Sequence, residues 1–291
     1  MDGGHPMKVV AAYNPGTLWM IASAASFSIM ALSAKMLPDL PALEKVFFRS
    51  IISVLLTWYA LYAGGVKIRV AKKTLLTLRS IFGFAGLYCY FEAIDRLPLG
   101  TAVTIYNTTP IFAAAIGIFL LKEFHSKKRI VSILIAVIGI AFLKGFSINV
   151  TWAGMMFGLL TAFFSAIAYS LVRVLGNSEH PLIIVLAFPL LSIPLSLLLG
   201  WGEMRMPVGA EWWWLIALGV GTQGGQVCLT HGLRYHTATR ATQIGFVGVL
   251  FAMILGVFAG DGIPSSSDFF GALLIFLGIY FGAQNKLKSV E

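Results

Sequence analysis

The stretch from Tyr88 to Glu123 occurs twice. Sliding the sequence by 139 residues lays it on Val227 to Gly262 without a gap. Cys89 falls on Cys228, Ala102 on Ala241, Ile105 on Ile244 and Phe112 on Phe251. Ala113 falls on Ala252, Gly117 on Gly256 and Phe119 on Phe258, and further on Gly139-Ile140 meets Gly278-Ile279. A gapless run that takes in both cysteines marks two copies of one unit. Any fold for this chain must therefore be built twice from one pattern.

The unit is apolar. Of 291 residues, 58% are hydrophobic and only 11% charged, against about 25% charged in a soluble domain. So much apolar surface cannot be hidden in a core of this size, and lipid must be the solvent. Ten apolar spans can be read, at roughly 15–36, 41–63, 74–96, 99–121, 128–146, 152–174, 181–200, 211–234, 238–260 and 268–285; about 20 apolar residues suffice for one crossing. Turn formers separate them: Leu37-Pro-Asp-Leu-Pro41, Gly64-Gly65, Pro98, His180-Pro181 and Gly262-Ile-Pro264. Ser265-Ser-Ser-Asp268 reads as a cap for the last helix. Segments of strand-like alternation are missing, which argues against a β-barrel. The fold class is an all-α integral membrane protein of ten transmembrane helices, with one five-helix unit over 15–146 and a second over 152–285. Residues 1–14 are polar and the first apolar run is full length, which reads as a first span and not a cleaved signal.

Charge sets the expected orientation. The net charge of +9 lies in short loops between apolar runs, so it points to topology and not to nucleic acid. With the N-terminus in the cytoplasm, the inner segments hold fourteen Lys and Arg and the outer loops only four (Lys45, Arg96, Lys144 and Arg205). Both termini are then cytoplasmic, in a plasma (inner) membrane. Five spans per copy is an odd number, so the second copy enters the membrane upside down. The expected arrangement is an inverted repeat, whose halves can exchange conformations and open a central cavity to either side in turn.

Phe91-Glu-Ala-Ile-Asp-Arg-Leu-Pro-Leu-Gly-Thr-Ala102, then Pro110, then Leu120-Leu-Lys-Glu123 and Gly139, resembles the signature of EamA-type permeases of the drug/metabolite transporter superfamily. Lys122 stands where that family has a glycine beside Glu123. The second copy keeps the turn in His231-Gly-Leu-Arg-Tyr-His-Thr-Ala-Thr-Arg-Ala241, but has Val249 in place of the proline and Gly260-Asp261-Gly262 in place of the Gly-Glu pair. The resemblance covers about 15–285. It implies ten helices with cytoplasmic ends and the transport of a small metabolite such as an amino acid, nucleotide or cofactor.

Ionisable groups inside a membrane are costly and mark candidate sites. Glu92 lies in the third span, and its partner in the second copy is His231. A carboxylate and an imidazole at mirrored positions could carry protons or grip a charged solute; equally, each could neutralise a neighbouring cation, Arg96 or Arg234. Arg79 is expected to snorkel to the cytoplasmic face beyond Lys72-Lys73. Arg49 follows Glu44-Lys45 closely and is expected at the outer surface in a local ion pair, with anion binding as the other reading. Pro110 frees a carbonyl in the fourth span that could bond a solute or water, beside Tyr106 and Asn107. Gln223 and Gln226, with Gln243 in the ninth span, need polar partners and should face the interior. Trp19 and Ser26 could line the first helix, with Tyr90 adding an aromatic face. The candidate substrate-binding set is thus Trp19, Ser26, Tyr90, Glu92, Tyr106, Asn107, Gln223, Gln226, His231 and Gln243. The small-x-x-x-small pairs at Gly154/Gly158, Gly221/Gly225, Gly256/Gly260 and Gly278/Gly282 read as helix-packing faces.

No phosphate-loop, dinucleotide, C-x-x-C or metalloprotease motif stands in the sequence. Catalytic residues, metal ligands and cofactors are therefore not expected, and ATP is not the direct fuel. The leading function is a secondary carrier of a small organic metabolite by alternating access, such as amino acid efflux. The alternative is uptake or exchange of a nucleoside-like or cofactor solute such as S-adenosylmethionine. An intramembrane enzyme on a lipid substrate is a weaker competitor, because its carboxylates or histidines should cluster at one face. Expected partners are the solute, the lipid bilayer and protons as a coupling ion, with no nucleic acid; the chain is expected to be a monomer or homodimer.

Overall fold

The computed structural model describes residues 15–113, 116, 127–145, 150–176, 178–232, 235 and 244–283. The described residues are helical and contain no strand. In chain order the helices are α1 (Pro15–Lys35), α2 (Ala42–Ala63), α3 (Lys73–Arg96), α4 (Leu99–Tyr106), α5 (Lys127–Gly145), α6 (Trp152–Leu175), α7 (Pro181–Leu199), α8 (Glu211–Gly232), α9 (Val247–Phe258) and α10 (Ser266–Ala283). Five of them, α1, α2, α3, α6 and α7, are long and apolar enough to cross a membrane.

Local chemistry sets several of the starts. Thr151 caps α6, its hydroxyl accepting from the Gly154 N–H at 3.1 Å. His180 caps α7, its Nδ1 accepting from Leu182 N–H at 3.3 Å, and Pro181 follows at the position where a missing N–H costs nothing. At α10 the expected cap forms reciprocally. Asp268 N–H donates to Ser265 Oγ at 3.3 Å, and Asp268 Oδ2 accepts from Ser265 N–H at 2.8 Å.

The two units pack as mates. The largest helix contacts are unchanged when each helix is exchanged for the one five places away: α3 on α6 mirrors α8 on α1, α2 on α8 mirrors α7 on α3, and α1 on α9 mirrors α6 on α4. The pairs α2–α7, α4–α9 and α5–α10 map onto themselves, so they straddle the axis of exchange. Close approach relies on small residues. A Cβ at Gly225 of α8 would sit 2.7 Å from the Phe27 ring of α1, and at its repeat mate Gly86 of α3 it would sit 3.4 Å from Phe164 Cβ of α6. Gly256 likewise lies against Leu99, but Gly260 does not serve packing: its φ of +88° makes it a turn residue.

Apolar side chains form both the core, around Phe91, Ile94 and Leu97, and the outer surface. Leu55, Leu134, Leu198, Phe258 and Phe270 stand on the outside, while Ser23, Ser50, Ser53, Thr57, Thr104, Thr161, Ser192 and Thr222 are buried. An apolar perimeter around a hydroxyl-rich interior is what a helical membrane bundle requires.

The fourth span differs from the uninterrupted helix expected over 99–121. Helix α4 stops at Tyr106, turns at Asn107-Thr108 and resumes at 109–113, and residues 117–126 lie outside the described residues. The second copy breaks at the equivalent place, with a turn at Phe246, although Val249 stands where Pro110 does. The break therefore belongs to the repeat and not to the proline. Nor is the carbonyl that Pro110 frees left open. It is Tyr106 O, and it accepts from the Thr109 hydroxyl at 2.5 Å. Thr108 Oγ1 donates to Ile105 O at 2.6 Å, and Asn107 Nδ2 to Val103 O at 2.8 Å.

Candidate functional site

The candidate residues fall into three groups along the bundle. At the end where α1 begins and α8 finishes, Trp19 and His231 stack with ring centroids 4.9 Å apart at 25°. Midway, Tyr90 of α3 and Tyr106 of α4 meet at 5.2 Å between ring centroids. Tyr106 shares a hydroxyl–hydroxyl hydrogen bond of 2.5 Å with Tyr169 of α6, a residue not singled out from the sequence. Tyr169 is 45% exposed, so the trio opens to one side. On α8, Gln223 is buried and its Oε1 accepts from Thr57 Oγ1 at 3.4 Å. Gln226 is half-buried. Ser26 lies against Gly221 and Gly224 at the α1–α8 contact, a packing position. Asn107 caps the broken helix through its own side chain. Gln243 lies outside the described residues.

Glu92 lies at the opposite end from His231 and pairs with Arg96, whose guanidinium also covers the Phe157 ring at 5.0 Å. Of the two readings of Glu92, this geometry supplies the neighbouring cation. More ion pairs gather at the same end. Lys45 Nζ is 2.5 Å from Asp95 Oδ1 and wholly buried. Lys35 Nζ is 3.0 Å from Asp261 Oδ1 and also donates to Leu97 O at 2.7 Å. Asp261 Oδ2 accepts from Leu99 N–H at 2.6 Å, so the one acidic residue of Gly260-Asp261-Gly262 caps α4. Arg205 pairs with Glu211 at 2.5 Å in this cap too. Every ion pair among the described residues lies at this end, where Lys45–Asp95 ties α2 to α3 and Lys35–Asp261 ties α1 to the α9–α10 turn.

Two expectations about arginine fail. Arg49 is 4% exposed and forms no ion pair among the described residues. The neighbours that suggested one are engaged elsewhere, Glu44 Oε2 accepting from Arg205 N–H at 3.3 Å and Lys45 holding Asp95. Arg49 Nε donates to Thr222 Oγ1 at 3.1 Å, while its Nη1 is buried without a hydrogen-bond partner. Arg79 does not snorkel either. Its Nε and Nη1 are buried and unpartnered, and its guanidinium lies 4.8 Å from the Phe188 ring centroid. Arg49 covers the same ring at 5.1 Å.

Cys89 and Cys228 are free thiols. Among the described residues no three His, Cys, Asp or Glu side chains converge as metal ligands would. Two surface clefts of about 410 and 300 Å³ are lined by residues 71–75 and by Leu250, Met253, Ile254, Val257, Pro264 and Phe269. Neither touches a candidate residue.

The profile of the EamA-like transporter family matches residues 14–144 and again 152–282. The chain belongs to the EamA-like transporter family. It is 30% identical to the pseudopaline exporter CntI of Pseudomonas aeruginosa over 89% of this chain and 93% of that one. It is 24% identical to a riboflavin transporter of Vibrio cholerae, over 98% of this chain and 96% of that one. It is 20% identical to an S-adenosylmethionine uptake transporter of Rickettsia prowazekii, over 96% of both. A crystal structure with 20% identity superposes over 92% of this chain and 96% of its own with a TM-score of 0.67, and shares the fold. An EamA-like chain is a multi-pass membrane transporter of a small molecule, and its sequence is a tandem repeat. In this member the exchange of helix partners and the tandem match describe one symmetry.

Proposed function

We propose that the protein is a secondary carrier that moves a small organic metabolite across the plasma membrane by alternating access. The observation that carries this is the exchange symmetry of the packing around a hydroxyl-rich interior. Ten spans, an inverted second unit and two cytoplasmic ends follow if the lysine and arginine asymmetry sets the topology. Two mates of one unit can then trade conformations, which closes one end as the other opens. In this reading the latched end, rich in ion pairs, is the outer gate in its closed form. Opening it means parting Lys35 from Asp261 and Lys45 from Asp95.

Efflux of an amino acid or similar metabolite fits the relation to an exporter. Uptake of a ring-bearing cofactor is the second reading, favoured by the relation to the riboflavin and S-adenosylmethionine transporters and by two aromatic groupings, Trp19–His231 and the Tyr90–Tyr106–Tyr169 trio, suited to stacking. A thermal-shift screen of the detergent-purified chain against amino acids, nucleosides, polyamines and vitamins tests both. Binding at a hundred times the dissociation constant stabilises by roughly 2.7 kcal/mol. A shift confined to one class, followed by flux of that compound into liposomes, supports the carrier. A hit that the enclosed liposomes never accumulate contradicts it.

A further inference from the structure

We propose that Arg49, Arg79 and Phe188 form an anion-binding subsite at the centre of the carrier, and that the transported solute bears a carboxylate or phosphate group. This deepens the carrier reading and rests on it. Two guanidiniums lie inside the bundle, stacked on one ring at 5.1 and 4.8 Å, and neither forms an ion pair among the described residues. Three of their nitrogens, Arg49 Nη1 and Arg79 Nε and Nη1, are buried without a hydrogen-bond partner, as are the hydroxyls of Ser50 and Ser53, which follow Arg49 on α2. A ring face offsets only part of the cost of a desolvated cation, and two like charges raise that cost further. Guanidinium donors held this way suit an incoming oxyanion.

Position agrees with this role. Arg49 and Phe188 are the same site in the two copies, 139 residues apart. They touch across α2–α7, a pair that maps onto itself under exchange, so the contact lies on the axis. Their supports are mates as well: Thr222 holds Arg49, and its equivalent Gly83 leaves the room Phe188 occupies, since a Cβ there would sit 3.0 Å from the ring and 3.2 Å from Arg79 Nη1. The axis is where alternating access keeps a substrate in reach of both sides. The Tyr90–Tyr106–Tyr169 trio, contributed by α3, α4 and α6, offers rings to the body of the solute.

The test uses the full chain in detergent with three probes at constant ionic strength: benzoate, phenyl phosphate and neutral benzamide. Benzoate or phenyl phosphate should raise the melting temperature and benzamide should not; the stronger of the two anions names the group. Arg49→Met and Arg79→Met should weaken the anion by roughly 10- to 150-fold, and Arg79→Lys, which keeps the charge, should recover part of it. Equal shifts from benzamide, undiminished shifts in the Met variants, or no shift from either anion would each overturn the proposal. Liposome flux separates the two levels. Transport of any screened solute by a chain without an arginine-dependent anion response leaves the carrier standing and removes this subsite.

Discussion

Asp95→Asn should be among the most damaging single changes in the molecule. Lys45 is 0% exposed, and its Nζ lies 2.5 Å from an Asp95 carboxylate that is 22% exposed. Removing the carboxylate leaves a wholly buried ammonium without its counterion. Breaking such a pair from one side costs about 3–5 kcal/mol. The reverse change, Lys45→Met, leaves a carboxylate that still reaches water, and should cost only about 1–3 kcal/mol. With both changes no charge is stranded, so Lys45→Met/Asp95→Asn should be more stable than Asp95→Asn alone. That sign reversal is the test, because simple loss of contacts would make the double variant the worst of the three. Thermal unfolding of the purified chain in one detergent, with the four proteins compared side by side, reads it directly. An Asp95→Asn cost below about 1 kcal/mol, the value of an exposed pair, would refute the claim that this end is a desolvated latch. So would additive losses in the double variant.

Three further outcomes are expected. Glu92→Gln should leave the pH dependence of transport unchanged, since Glu92 is held by Arg96; a flattened profile would return it to a proton-carrying role. Asp261→Ala removes the acceptor for Leu99 N–H and the partner of Lys35, and should cost about 1–2 kcal/mol, as loss of a helix cap does, read as a lower melting temperature. Gly225→Val drives a side chain into the Phe27 ring, which a Cβ would already approach to 2.7 Å. It should cost about 1–3 kcal/mol, and a melting temperature equal to wild type would mean that α1 and α8 are looser than described.

The architecture was legible because it rests on local signals. The 139-residue register pairs α2 with α7 and α5 with α10 residue for residue, starting at Ala42 against Pro181 and Lys127 against Ser266. The Ser265–Asp268 cap was equally plain. What misled was the assumption that charges close in sequence pair with each other. Glu44 and Lys45 lie within five residues of Arg49, yet Glu44 reaches Arg205 and Lys45 reaches Asp95, partners set by tertiary packing. Distance to the helix end suggests a snorkelling Arg79, whereas its direction around the helix decides its surroundings. A usable signal did exist. Beyond Glu44-Lys45, the only polar residues of α2 are Arg49, Ser50, Ser53 and Thr57, apart from tyrosine and tryptophan, and they form one stripe; the repeat lays Arg49 on Phe188. Tyr169 gave no such sign, because a lone tyrosine in an apolar helix shows its partner only once α4 and α6 are brought together.

The carrier claim itself is tested most directly by counterflow. Liposomes holding the purified protein would be loaded with the unlabelled solute that stabilises it, diluted into buffer with a trace of the same solute in labelled form, and given no ATP and no ion gradient. An alternating-access carrier predicts transient uptake of label above the level of diffusive equilibrium, because outward-moving solute returns the site to face the label. Uptake no greater than in protein-free liposomes, or label that only rises to equilibrium as through an open pore, would contradict it.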